Sequence, residues 1–344
     1  MKRWLVPSAL AVLMSAALVG CGGAIGLLLG LVALGEVVGD VSDWFDDDAP
    51  PGQFRVLLDG QLLPVQPDAA GNLALSDLPA DRHLLQVVAP SRLTGAVRII
   101  NVAAGSPVDM GTLEPVAGGR ILGTVRTQAA GGAFLAAKRV LVVALPGGAG
   151  LVDATHTAPM NLPPATTYYA AYTDGNGQFS LDAVEPGDYL VTAAVAGCKA
   201  DVRLVAGLMA GHVVQGTVLD LELDDAIAFG TISGTVSGAL AGGGTESLPG
   251  AGLTVAVGAG FVPAIPAAVS DSIAQASGAS LMASPWFRWN ELAGLTDAGG
   301  SYQVRAVPGT RRLSCFAYGY QPGQQDVTVT QGHDSAASFT LEAP

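Results

Sequence analysis

An aspartate followed by a glycine three residues later recurs three times, and this repeat constrains most strongly what the 344-residue chain can fold into. A leucine or aromatic residue stands five positions after each aspartate, a proline 11 or 12 positions after it, and a Leu-Glu pair 33 to 35 positions after the proline. The markers are Asp68, Gly71, Leu73, Pro79 and Leu113-Glu114; Asp174, Gly177, Phe179, Pro186 and Leu221-Glu222; and Asp297, Gly300, Tyr302, Pro308 and Leu341-Glu342. Markers kept in this order predict three copies of one structural unit.

Each group of markers is typical of a turn that leads into a short strand. Asp tolerates the left-handed backbone conformation and Gly adopts positive φ, so Asp297–Gly300 favours a tight hairpin turn. Tyr302 and Val304 then alternate with polar residues, which is the period of a strand. Together with 46 Gly and 21 Pro, this pattern predicts an all-β protein made of tandem β-sandwiches. Phe179 and Tyr302 are expected to fill the sandwich cores.

The second and third copies share a beginning that the first copy lacks. Gly123-Thr124-Val125 and Gly234-Thr235-Val236 each open a strand, and second strands are predicted at 140–145 and 253–257. In copy one, Asp68 follows Phe54 by only 14 positions. We therefore expect a truncated sandwich that lacks at least one strand and has an edge in need of cover. The predicted units are 52–117, 118–224 and 229–344.

The order Gly-Thr-Val, Asp-x-x-Gly-x-aromatic and Pro-Gly-Asp-Tyr-x-Val, the last at 186–191, resembles the carboxypeptidase regulatory-like domain. The resemblance covers copies two and three well and copy one in part. It implies a transthyretin-like, seven-stranded Greek-key sandwich of the carbohydrate-binding-like group. It also implies a non-catalytic module on an exported protein. Copy three departs from the motif at Arg311, where the family has an aromatic residue, and this weakens the prediction of a strand there.

The N-terminus has the pattern of an export signal. Lys2 and Arg3 precede the apolar run Leu5–Leu18, which ends in Leu18-Val19-Gly20-Cys21. This end resembles the bacterial lipobox, which implies that 1–20 is a lipoprotein signal peptide. Cys21 would then carry fatty-acid chains such as palmitate and anchor the protein to the outer membrane or cell surface. An uncleaved transmembrane anchor is the alternative, because no charge occurs between Arg3 and Glu36.

Two further segments precede the first predicted sandwich. Residues 21–39 are rich in glycine at four-residue spacing, which indicates either a membrane-proximal helix or a flexible spacer. Residues 40–51 hold five aspartates and two prolines, which favours an acidic linker over a calcium site. We expect this linker to hold the folded part away from the membrane.

The sequence offers little for catalysis. The four histidines lack the spacing of a zinc site, and no G-x-S-x-G or P-loop motif occurs. The net charge of −13 disfavours nucleic acid as a partner. Cys315 alternates with apolar residues and is expected to be buried, whereas Cys198 is expected at an exposed turn. We therefore expect no enzymatic activity, no cofactor and no metal.

The candidate binding residues lie in two long insertions, 147–171 and 261–295. The first holds Tyr168 and Tyr169, and the second holds Trp286, Phe287 and Trp289. Aromatic side chains on loops can stack on sugar rings or anchor a peptide, but they can equally pack on their own domain. The first hypothesis is therefore a non-enzymatic, lipid-anchored scaffold or adhesion module of the cell envelope. The alternative is a surface lipoprotein that binds a glycan, a peptide or an envelope protein through these aromatics.

Overall fold

The chain forms three β-sandwiches, which we number one to three in chain order. The computed structural model describes residues 34–45, 54–80, 82–129, 132–146, 168–193, 195, 198, 201–223, 229–256 and 291–343. Within these residues the regular structure is β apart from one 3-10 turn, Ser42–Trp44. The all-β prediction is confirmed.

Each sandwich has seven main strands, and their bounds are as follows. Sandwich one contains β1 (Leu34–Asp40), β2 (Arg55–Leu58), β3 (Gln61–Leu63), β4 (Asn72–Pro79), β5 (Arg82–Ala89), β6 (Thr94–Asn101) and β7 (Pro107–Thr112), and the short β8 (Val116–Ala117) extends it. Sandwich two contains β9 (Gly119–Gln128), the short β10 (Phe134–Ala136), β11 (Leu141–Pro146), β12 (Tyr169–Tyr172), β13 (Gln178–Val184), β14 (Gly187–Ala193), β15 (Asp201–Leu208) and β16 (Val213–Leu221). Sandwich three contains β17 (Gly230–Ala239), the short β18 (Thr245–Ser247), β19 (Gly252–Ala256), β20 (Glu291–Leu295), β21 (Ser301–Ala306), β22 (Gly309–Phe316) and β23 (Gly323–Val329), and its last strand is in two pieces, β24 (Asp334–Ala336) and β25 (Phe339–Leu341).

The three sandwiches share one topology. The first strand of each lies between an antiparallel and a parallel neighbour, as β9 does between β13 and β16. The second sheet has the order β3-β2-β5-β6, β12-β11-β14-β15 or β20-β19-β22-β23. Strands that are neighbours in a sheet are mostly not neighbours in sequence, so the chain crosses between the sheets as in Greek-key sandwiches. Seven such strands match the number that the family resemblance implies.

The repeated aspartate organises the same turn in every sandwich. In Asp68, Asp174 and Asp297 one carboxylate oxygen accepts hydrogen bonds from the backbone N–H groups two and four residues later, at 2.7–2.9 Å. The glycine three residues after each aspartate has φ of +88°, +75° or +74°. The turn was expected to form a hairpin, but it joins strands of different sheets. It therefore closes the sandwich, and it brings a buried Leu73, Phe179 or Tyr302 into the core.

The first sandwich is not truncated, because its missing strand lies upstream of the predicted boundary at residue 52. β1 pairs with β4 and β7 as β9 pairs with β13 and β16. Gly39 lies opposite Leu73, as Gly123 lies opposite Phe179 and Gly234 opposite Tyr302. The tripeptide Gly39–Val41 is thus the equivalent of Gly-Thr-Val in the other copies. Sandwich one begins at Leu34.

This placement corrects two expectations about the segments before residue 52. Leu34–Gly39 were assigned to a membrane-proximal segment, but they are strand, and a side chain at Gly35 would come within 2.4 Å of the Ala103 carbonyl oxygen. The acidic segment was expected to be a linker, but Val41 and Trp44 are buried in the core of sandwich one. The indole of Trp44 donates a hydrogen bond to the carbonyl of Leu113. Residues 1–33 and 46–53 lie outside the described residues.

Sandwiches one and two are locked together by buried polar contacts. Asp182 on β13 accepts hydrogen bonds from Arg55 on β2, at 2.8 Å, and from Arg120 on β9. The buried Gln86 side chain accepts the backbone N–H of Ala170 at 2.9 Å. Leu57 and Val88 of sandwich one pack against Ala183 of sandwich two. Arg120 belongs to sandwich two together with Asp182, whereas the hydrogen bonds of Arg55 and Gln86 cross the boundary. Those two hydrogen bonds fix the relative orientation of the two sandwiches.

Sandwich three packs on sandwich one as well. Phe316 and Tyr318 contact the core of sandwich one. The Gln61 side chain donates a hydrogen bond to the carbonyl of Gly250 at 2.6 Å. Val32–Pro344 accordingly form one compact unit.

Candidate functional site

Of the residues that the sequence singled out, some lie outside the described residues and the others are buried. Cys21 and the aromatic cluster Trp286, Phe287 and Trp289 lie outside the described residues. Tyr168 and Tyr169 are described, and both are buried, with 3% and 2% of their surface exposed. Cys198 and Cys315 are both buried.

The expectation that Tyr168 and Tyr169 bind a ligand is corrected by their burial. Tyr169 begins β12, pairs with Ala144 and packs edge to face on Tyr189 with 5.8 Å between ring centroids. Its hydroxyl accepts the backbone N–H of Glu185 at 3.0 Å. Desolvation raises the pKa of Tyr169 well above its ordinary value, and it raises the pKa of Tyr189 to about 12. Both tyrosines of the first insertion are therefore core residues, as the packing alternative holds.

The two insertions arise at the same hairpin of sandwiches two and three. In sandwich one, β2 and β3 are joined by Asp59 and Gly60 alone, both at positive φ. The equivalent connections, 147–168 and 257–290, lie between β11 and β12 and between β19 and β20. Sandwiches two and three thus have their long connections at the same place in the fold, at the end of β12 or β20 that is opposite to the aspartate turn. Loops at such places tolerate insertion and commonly carry function.

A cleft of about 320 Å³ lies between sandwiches two and three. Sandwich two contributes Thr127, Val195 and the turn Ala136–Val140, which includes Lys138 and Arg139. Sandwich three contributes Thr231, the pair Gly294-Leu295 and the strand segment Gln303–Arg305. The lining combines three cations with hydroxyl and amide groups. No sequence motif marked this cleft, because its two walls come from different repeats.

Arg305 is the most firmly held of the three cations. Its guanidinium lies 4.8 Å from the centroid of the Phe229 ring, an arrangement in which the ring face attracts the cation. One of its nitrogens donates to the sulfur of Cys198 at 3.4 Å. These two contacts hold the side chain at the boundary between the sandwiches.

The cysteines differ from expectation at one position. Cys315 is buried as predicted, and burial raises the pKa of its thiol to about 12. Cys198 was expected at an exposed turn, but only 3% of its surface is exposed. Its backbone bridges to Leu223 beside the end of β16, and that bridge draws the residue inward.

Histidines and acidic residues do not gather into a metal site in the part of the chain that the structure describes. His83 is buried, and its ring nitrogens contact Asp59 at 2.7 Å and the carbonyl of Pro79 at 2.9 Å. A carbonyl can only accept, so His83 Nε2–H donates to Pro79. This pair fixes the turn between β2 and β3. Among the described residues there is also no helix long and apolar enough to cross a membrane.

Comparisons with known proteins give structural neighbours only. No protein-family model matches the chain, and no curated protein matches it. Among solved structures, the Bacillus anthracis TIE protein is 14% identical at a TM-score of 0.22, and the match covers 90% of this chain and 51% of that one. The minor pilin of Streptococcus agalactiae is 14% identical at a TM-score of 0.22, over 65% of this chain and 96% of the pilin. The shaft pilin SpaA of Lactobacillus rhamnosus GG is 12% identical at a TM-score of 0.26, over 66% and 98%. These TM-scores are too low to support an argument about the fold, which therefore rests on the strand pairing of this chain.

Proposed function

We propose that this chain is a lipid-anchored protein of the cell envelope, at the outer membrane or cell surface, and that its three sandwiches form a non-enzymatic scaffold for adhesion or interaction. The scaffold proposal rests on the two sets of contacts, called joints below, by which sandwich one is fixed to sandwich two and to sandwich three. Asp182, Gln86 and Phe316 all cross a boundary between sandwiches. Joints of this kind hold loops from different sandwiches in fixed relative positions, which a multi-point contact with a partner requires.

The anchor rests on the N-terminal sequence. A basic start, an apolar run and the Leu18–Cys21 end together support export followed by acylation of Cys21. Acyl chains would attach the scaffold to one leaflet. Stable anchoring usually needs more than one chain, and the diacylation implied by the lipobox resemblance supplies it.

Replacing Cys21 by Ser tests the anchor. Cells that express the full chain would be labelled with palmitate and then separated into membrane and soluble fractions. We expect the wild type to carry label and to sediment with membranes, and Cys21→Ser to lose the label and leave that fraction. Cys198→Ser is the matched control and should retain both properties. If Cys21→Ser sediments with membranes as the wild type does, an uncleaved signal is the anchor and the lipid proposal is wrong.

A second candidate function, binding of a glycan or peptide by Trp286, Phe287 and Trp289, is favoured by the position of the insertions. Both leave the fold at the hairpin that sandwich one closes with two residues. In a glycan array, we expect the Trp286→Ala, Trp289→Ala double variant to lose whatever binding the wild type shows. A wild type that binds no glycan and no envelope peptide would contradict this candidate and leave the scaffold proposal standing.

A further inference from the structure

We propose that the cleft between sandwiches two and three is a binding site for a small anion with more than one acidic group, carboxylate or phosphate, held by Lys138, Arg139 and Arg305. The proposal concerns the folded part only and does not depend on the anchor. At about 320 Å³ the cleft lies at the lower end of the range of small-ligand sites, roughly 300–1,000 Å³. The two walls belong to different sandwiches, and such boundaries commonly hold ligand sites.

The charge of the cleft is opposite to that of the chain. The protein has a net charge of −13, and yet the described residues of the lining include three cations and no Asp or Glu. Elsewhere five described arginines pair with aspartates: Arg55 and Arg120 with Asp182, and Arg126, Arg203 and Arg312 with one aspartate each.

Among the described residues, the three cleft cations have no acidic partner. Within the described part of the chain, no carboxylate lies within the 4.0 Å of an ion pair from Lys138, Arg139 or Arg305. Arg305 engages the Phe229 ring and the Cys198 sulfur, and a guanidinium has five N–H donors in all. Most of those donors are therefore available to an anion, and carboxylates and phosphates are what such a planar fork binds best.

The backbone of Arg139 gives an independent observation. Arg139 has φ of +57°, a left-handed conformation that costs free energy for any residue with a Cβ. The equivalent residue in sandwich three is Gly250, with φ of +71°. Arg139 N–H donates to Thr173 O, and Gly250 N–H donates to Thr296 O. The two threonine hydroxyls likewise donate to the carbonyls of Ala137 and Leu248 at 2.6 Å.

The same turn is therefore built twice, with Pro249-Gly250 in one sandwich and Lys138-Arg139 in the other. Pro249-Gly250 forms this turn without strain, because Pro and Gly adopt these conformations readily. Lys138-Arg139 forms it with strain at Arg139 and places two cations at the wall of the cleft. Residues held in such strained conformations cluster at binding and active sites.

The test is anion binding by the full-length chain in neutral detergent at low salt, measured by isothermal titration with two probes, citrate and tripolyphosphate. Citrate tests a carboxylate source of the ligand, and tripolyphosphate tests a phosphate source. We expect the wild type to bind at least one probe. Arg305→Gln and Arg139→Gly should each weaken that binding by about tenfold or more, because each removes charge-assisted hydrogen bonds.

Two controls separate this site from general electrostatics and from misfolding. Arg312→Gln removes an exposed charge from the same sandwich, outside the cleft, and should change the affinity by less than about twofold. Arg139→Gly relieves the strained φ and should raise Tm by roughly 2–4 °C, so a loss of binding in this variant cannot come from unfolding. The proposal is overturned if the wild type binds neither probe, if Arg139→Gly binds as the wild type does, or if Arg312→Gln weakens binding equally.

Discussion

At the scale of single residues, the three sandwiches make the same side-chain to backbone hydrogen bond with three different side chains. Near the start of the fifth main strand a side chain donates to the carbonyl four residues earlier. Tyr189 donates its hydroxyl to Glu185 O at 2.8 Å, Arg311 its Nε–H to Val307 O at 2.9 Å, and His83 its Nε2–H to Pro79 O at 2.9 Å. Arg311 was expected to weaken its strand because the family motif has an aromatic there. The strand forms because the guanidinium makes the same backbone contact.

The glycine of the aspartate turn is the residue for which substitution has the clearest expected effect. Gly177 has φ of +75°, and a Cβ there would lie 2.7 Å from the carbonyl oxygen of Val125. We expect Gly177→Ala to lower the free energy of unfolding by about 2–4 kcal/mol, because the strained φ and the steric clash add together. Thermal unfolding followed by circular dichroism measures this loss.

The neighbouring Gly175 is the matched control, because a Cβ there would meet nothing within 4 Å. Gly175→Ala should change the free energy of unfolding by no more than about 0.5 kcal/mol. Equal effects of the two substitutions would show that the conformation of Gly177 is not what the turn depends on.

At the scale of secondary-structure elements, β1 shows where the sequence was misleading. Residues 22–39 are rich in Gly, Leu and Val, a composition that a membrane-proximal segment and a buried strand share. The signal that separates them is the tripeptide Gly39-Asp40-Val41, which corresponds to Gly-Thr-Val in the other repeats. In sandwich two the glycine is required, because a Cβ at Gly123 would lie 2.1 Å from the carbonyl oxygen of Thr217, whereas a Cβ at Gly39 would meet the end of the Met110 side chain at 2.8 Å.

The role of β1 can be tested at Val37, which is fully buried and faces the core of sandwich one. Val37→Asp would place a carboxylate in that core and should cost about 4 kcal/mol or more. We expect backbone amides of β4, its hydrogen-bonded neighbour, to lose protection in hydrogen exchange. Glu36→Gln changes an exposed position of the same strand and should leave that protection intact. If Val37→Asp leaves β4 protected as well, β1 is not part of the sandwich.

Other elements were predictable because the repeats could be compared with one another. The strands predicted at 140–145 and 253–257 are β11 (Leu141–Pro146) and β19 (Gly252–Ala256). Tyr168 and Tyr169 were assigned to a loop because an insertion gives no sign of where the next strand begins. The cleft could not be predicted, because Lys138-Arg139 and Arg305 come together only through the packing of two sandwiches. Arg139 and Arg305 are 166 positions apart, and no sequence pattern links them.

At the scale of the whole molecule, sandwich one carries both joints of the described chain. Its sheet β3-β2-β5-β6 contacts sandwich two through Arg55 and Gln86, and sandwich three through Gln61. Sandwiches two and three then face each other across the cleft. The geometry of the cleft therefore depends on the contacts of sandwich one, which does not line it, as well as on the direct contact between Arg305 and Cys198.

Asp182 offers the most direct test of these joints. Its side chain is 6% exposed and is shared by Arg55 and Arg120, whose side chains are 38% and 27% exposed. Asp182→Ala removes both pairs, while the two arginines remain partly hydrated. We therefore expect a loss of about 1–3 kcal/mol, which is less than for a fully buried pair. In calorimetry, sandwich two should begin to unfold separately from sandwich one, because the lost pair with Arg55 crosses the boundary between them and the lost pair with Arg120 lies within sandwich two. Asp326→Ala breaks the exposed pair with Arg312, in which both side chains are more than half exposed, and should shift the transition by no more than about 0.5 kcal/mol. A variant Asp182→Ala that melts in one transition at the wild-type temperature would show that apolar packing alone holds the joint.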